Sequence, residues 1–106
     1  MTSDRKKTRV LAGTILEEEV MLSLAELCQA TQVSAERVIE LAHAGIVEPI
    51  GSSPESWRLR GVSLYRVRCA QRLKNDLGVN MPGVALALDL LDEVERLRAR
   101  LRRFEP

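Results

Sequence analysis

Four glutamates set the chemistry open to this chain. Glu26, Glu36, Glu40 and Glu48 fall within residues 23–48, where Arg37 is the only base. Glu36 and Glu40, four apart, share one face of any helix that holds them. Carboxylates arrayed this way suit a cationic partner, for which complementary charge speeds encounter and fixes register. Apolar anchors supply most of the binding energy in such a contact. Ile46 and Val47 are the nearest candidates, with core packing as their alternative; for the acids the alternative is an ordinary solvated face. Catalysis finds no comparable constellation. His43 is the sole histidine, Cys28 and Cys69 form no Cys-x-x-Cys pair, and no glycine-rich phosphate loop is present. Asp89, Asp92 and Glu93 lack a further ligand at useful spacing and read as helix surface. The expectation is a protein that is not an enzyme and needs no metal or cofactor.

The elements that hold these residues can be read from local signals. Residues 14–22 read as a short strand ending in Val20, Met21 and Leu22. Ser23 and Glu26 form a capping box, so a helix is expected over 24–30 with Leu24, Leu27 and Cys28 inward. Thr31-Gln32-Val33 makes the turn. Ser34 caps a second helix over 35–44, whose inner side is Val38, Ile39, Leu41 and Ala42, and Gly45 ends it. Two short amphipathic helices about a tight turn form a helix-turn-helix. Pro49 and Gly51-Ser52-Ser53-Pro54 bar any helix beyond it, and a small wing is expected as a hairpin from 46–50 to 56–59.

A third helix is expected over 62–77, with Val62, Tyr65, Val67, Cys69, Ala70, Leu73 and Leu77 as its apolar stripe. Gly78 stops it. Asn80 caps a last helix over 81–104, with Pro82 in its first turn. The first part of that helix is apolar nearly all round, which predicts burial on several sides. Its later part narrows to Leu90, Val94, Leu97, Leu101 and Phe104, at steps of four, three, four and three. That is a coiled-coil seam of about two heptads, too short to stand alone. Pairing in a homodimer is the expectation; packing within one chain is the alternative.

Charge is segmented although the total is only +1. Residues 1–12 carry +3, residues 13–50 carry −6, residues 51–80 carry +4, and residues 81–106 balance. The basic first dozen residues read as a disordered tail, and residues 13–106 as one domain. No apolar run approaches the roughly 20 residues a membrane span needs, and no secretory signal is present, so a cytoplasmic protein without a membrane partner is expected. A DNA duplex is densely anionic and its readers are basic where they touch it. The acids of the second helix therefore argue against direct DNA binding.

A helix-turn-helix, a wing, a two-helix extension and a terminal coiled-coil helix resemble the layout of the MerR family. Within that family the chain is similar to the CbpM group of chaperone modulators. The resemblance covers residues 20–104. It is carried by residues 24–33, by Ala44-Gly45-Ile46-Val47-Glu48-Pro49, by Trp57, and above all by Arg72-Leu73-Lys74-Asn75-Asp76-Leu77 together with residues 82–92. It implies an all-α, MerR-like winged helix-turn-helix fold with a two-helix extension ending in a dimerising helix. It also implies that the partner is the J-domain of a CbpA- or DnaJ-like co-chaperone, which offers a basic helix. The modulator would restrain that co-chaperone's stimulation of DnaK and its association with DNA, and reach the nucleoid only through it. Where DNA-reading MerR proteins typically carry an Arg-Tyr pair, this chain has Val38-Ile39-Glu40-Leu41; only Arg58 in the wing matches a MerR contact. A DNA-binding transcription regulator of the MerR type is the alternative reading.

Overall fold

Ser23 opens the first helix by satisfying two orphan donors at once. Its hydroxyl accepts from the Glu26 amide at 3.1 Å, and the Glu26 carboxylate accepts from the Ser23 amide at 2.9 Å. A cap of this kind stabilises a helix by about 1 kcal/mol. The computed structural model describes residues 20–104. Helix α1 spans Leu24–Thr31 and ends on Gln32, a left-handed residue at φ 60°. Ser34 then accepts from the Arg37 amide to start α2, Ala35–His43. Gly45 takes φ 78°, where a side chain would be strained, and turns the chain out of the helix-turn-helix.

The small sheet differs from the expected hairpin. Strand β1, Met21–Leu22, pairs antiparallel with β2, Leu59–Arg60, placing Met21 opposite Arg60 and Leu22 opposite Leu59. The segment 46–50 contributes a single bridge, Ile50 to Arg58, closed by two backbone bonds of 2.8 Å. In place of the expected hairpin, residues 50–58 form a loop closed by that bridge, with a 3-10 turn at Pro54–Ser56. Pro49 and Pro54 lack amide protons, so residues 46–56 cannot donate a continuous ladder, and the return strand pairs with the start of the described chain instead. Residues 14–19 of the expected first strand and the tail 1–12 lie outside the described residues.

Helices α3, Val62–Leu77, and α4, Met81–Arg102, form the extension. Gly78 in the left-handed region ends α3, and the Asn80 side chain accepts from the Gly83 amide to start α4. Leu27, Val38, Leu41, Leu59, Leu64, Val67, Ala70, Val84 and Leu88 make one aliphatic core. Two expectations need correction here. The buried stripe of α3 runs through Leu64, Val67 and Ala70, whereas Val62, Tyr65 and Leu77 are exposed. Likewise only Val84 and Leu88 of the early α4 are buried, while Leu86 and Leu90 face outward. Among the described residues α4 packs mainly on α3, and its other apolar residues stay exposed.

The acidic surface and the cleft beside Arg66

The helix-turn-helix places the expected carboxylates on its outer side. Glu36 and Glu40 on α2 are exposed, as is Glu48 beyond it. Arg37, the only base among them, is turned away. Its Nε donates to Oε1 of Gln71 on α3 at 3.1 Å, and its Nη1 donates to the Glu40 carboxylate at 3.0 Å. Its side chain keeps only 15% exposure. The outer side of α2 therefore shows carboxylate more than guanidinium. Glu26 is half-buried and engaged in the cap of α1, so its charge serves the helix start first.

Ile46 and Val47 are not surface anchors. They are 1% and 2% exposed and belong to the core. The physical reason is the turn at Gly45: it reverses the chain so that Ile46 donates its amide to the Leu41 carbonyl at 2.9 Å and points inward. Both residues secure the helix-turn-helix and cannot reach a partner.

The structure adds acids that sequence spacing gives no reason to join. Glu48, Asp89 and Asp92 line one cleft of about 250 Å³ with Gly45, Arg60, Ser63 and Arg66. Arg66 forms its floor. Its Nε donates to the Ile46 carbonyl, and its Nη1 to the Asp92 carboxylate, both at 2.5 Å; Asp89 lies 3.9 Å from Nη2. One guanidinium thus ties the end of the helix-turn-helix to α4, using the fork of donors that lysine lacks. Asp89 and Asp92 remain more than half exposed. Only the fold brings α4 beside Glu48, so no local signal in the sequence joins them.

The seam residues Leu90, Val94, Leu97, Leu101 and Phe104 all lie exposed along α4. Among the described residues none packs over them. Beside them, Cys69, Leu73 and Leu77 of α3 and Leu91 of α4 line an apolar groove of about 320 Å³, with Arg72 and Asp76 at its edge. Burial pushes the Cys28 thiol up from its ordinary value, and a hydrogen bond with Cys69 does the same to the Tyr65 phenol. Both groups therefore stay neutral near pH 7. Among the described residues no group of three His, Cys, Asp or Glu side chains could hold a metal ion. Among them, too, no helix is long and apolar enough to cross a membrane.

Comparison with known proteins agrees with this architecture. Residues 22–105 match the model of the MerR HTH family regulatory proteins. The chain is 43% identical over 97 residues to the chaperone modulatory protein CbpM of Coxiella burnetii (strain Dugway 5J108-111), covering 92% of each. It is 44% identical over 80 residues to the protein of that name from Pseudomonas entomophila (strain L48), covering 76% of this chain and 79% of the relative. The Pseudomonas putida (strain GB-1) protein gives the same identity and coverage. These relatives are named as regulatory or modulatory proteins, not as enzymes.

Proposed function

Since the chain belongs to the MerR helix-turn-helix family, and within it to the CbpM chaperone modulators, we propose that it modulates a chaperone system by binding a co-chaperone's J-domain. The observation that carries this reading is the outer side of α2: Glu36 and Glu40 are exposed where a DNA reader needs cations, and Arg37 is tied to Gln71 and Glu40. Glu48 adds one more exposed carboxylate beyond α2, beside a cleft where Asp89 and Asp92 meet Arg60 and Arg66. A basic helix finds several carboxylates there, and a phosphate backbone finds repulsion. The bound J-domain is then withheld from DnaK, and the co-chaperone's hold on DNA is weakened.

The exposed seam of α4 supports a homodimer. An apolar line of five residues facing water is costly unless a second copy covers it.

The test is DnaK ATP turnover stimulated by an isolated J-domain. Adding the protein lowers the stimulated rate toward the basal one, and the Glu36→Lys, Glu40→Lys double variant loses most of that effect while keeping its helical circular dichroism. Full inhibition by the double variant removes α2 from the site. Unchanged turnover at saturating wild-type protein overturns the reading.

A further inference from the structure

The Arg66 guanidinium is fully committed within its cleft. Nε donates to the Ile46 carbonyl, Nη1 to Asp92, and Nη2 lies 3.9 Å from Asp89. Other groups that line the cleft are not committed. Arg60 on β2 is exposed and makes no ion pair among the described residues. Ser63 is 3% exposed, the one buried polar residue among those described, and its hydroxyl has no hydrogen-bond partner among them. Buried hydroxyls are nearly always bonded, so an open one in a cleft marks a place for a ligand atom. Gly61 starts α3 with no side-chain cap, so the first-turn amides of Val62 and Ser63 have no acceptor within the helix. A guanidinium, a hydroxyl and a helix start together make a donor set for a carboxylate.

The same cleft carries acids from two other parts of the chain. Glu48 follows α2 and makes no ion pair among the described residues, and Asp89 on α4 is 76% exposed beside Arg66. These carboxylates suit an ammonium group. A ligand with one charge alone meets repulsion from the opposite set, whereas a small zwitterion satisfies both. The cleft is about 250 Å³, just below the roughly 300 Å³ at which pockets for drug-sized ligands begin. Val62 and Ile46 add apolar lining for a side chain. We propose that this cleft binds a free α-amino acid with an apolar side chain. Arg60, Ser63 and the first turn of α3 hold its carboxylate, and Glu48 and Asp89 hold its ammonium. The site does not depend on the J-domain reading, which is carried by α2.

The probe is L-leucine, titrated into the dialysed full chain. N-acetyl-L-leucine, which lacks the ammonium, and L-leucinamide, which lacks the carboxylate, are titrated beside it. Binding is read by calorimetry and by the rise in melting temperature. The proposal expects saturable binding of one leucine per chain, with each analogue weaker by about tenfold or more, as loss of a charged hydrogen-bonding group implies. Arg60→Gln, Glu48→Gln and Ser63→Ala should each weaken leucine by about the same factor while helical circular dichroism is kept. Glu36→Gln on α2 should leave it unchanged. N-acetyl-L-leucine binding as tightly as leucine would mean a site for a peptide's carboxyl end, and leucinamide doing so a site for its amino end; either overturns the proposal. Undiminished leucine binding in the three variants puts the ligand elsewhere and overturns it as well. So does the absence of both saturable heat and any rise in melting temperature at millimolar leucine.

Discussion

Arg66 on α3 donates to Asp92 on α4 at 2.5 Å, and through its Nε it also holds the carbonyl of Ile46. A single side chain thereby fixes the extension against the helix-turn-helix. Its side chain is 12% exposed, so the bond to the Ile46 carbonyl is largely shielded from water, whereas Asp92 stays more than half exposed.

Arg66→Met is expected to lower the unfolding free energy by about 2 kcal/mol, in the range for hydrogen bonds to charged groups. Most of that loss is the Ile46 carbonyl left without a donor; the two aspartates are exposed enough to be solvated once released. Arg66→Lys restores only part, because an ammonium cannot bond the carbonyl and Asp92 in fixed directions. Urea titrations check both, with the midpoint falling at constant slope.

Complex formation with a J-domain should be steered by charge. A tenfold rise in ionic strength shortens the screening length about threefold. The association rate is expected to fall by roughly tenfold over that range, with a much smaller change in dissociation. Stopped-flow association at several salt concentrations measures this. Equal slowing of both steps, or no slowing, would remove the acidic surface of α2 and the cleft from the recognition step.

Ile46→Ala is expected to cost about 2 kcal/mol or more, the lower end for truncating a large buried aliphatic. Any loss of J-domain binding in this variant should track its unfolded fraction, since Ile46 touches no partner. Ile50→Ala is the control: Ile50 lies exposed at the start of the loop 50–58, so stability should move by less than about 0.5 kcal/mol. Thermal melts run beside titration calorimetry separate the two effects.

The contrast between Ile46 and the helix caps marks how far the sequence is readable. Ser23, Ser34, Asn80 and Gly78 cap or stop helices through contacts with residues only a few positions away. Such chemistry is local, so the helix ends are legible to within two residues. The pairing of Leu59–Arg60 with Met21–Leu22 and the burial of Ile46 depend on segments far apart in sequence, and neither follows from spacing. The stripe of α3 escapes periodicity for a related reason. Apolar residues occupy more than one face of that helix, and only the positions of α1 and α4 around it select Leu64, Val67 and Ala70 for the core. Asp89 and Asp92 read as plain helix surface because the sequence offers no third ligand nearby. The fold sets Glu48, Arg60 and Arg66 beside them in one cleft.

The outward-facing seam gives the last expectation. From Glu93 to Phe104 every residue is exposed and none belongs to the core, so the end of α4 adds no buried packing to the rest of the fold. Leu97→Asp with Leu101→Asp puts acids into both copies of the seam and removes its central layers. Light scattering should then give the monomer mass. The core built on Leu27, Val38, Leu41 and Leu64 contains neither position, so near-ultraviolet signal from Trp57 should be retained. Wild-type melting temperature should rise with protein concentration, as mass action requires for a dimer, and that of the variant should not. A variant that keeps the dimer mass would mean that the copies join through another surface, and the acidic side of α2 could then be shared between that surface and the J-domain.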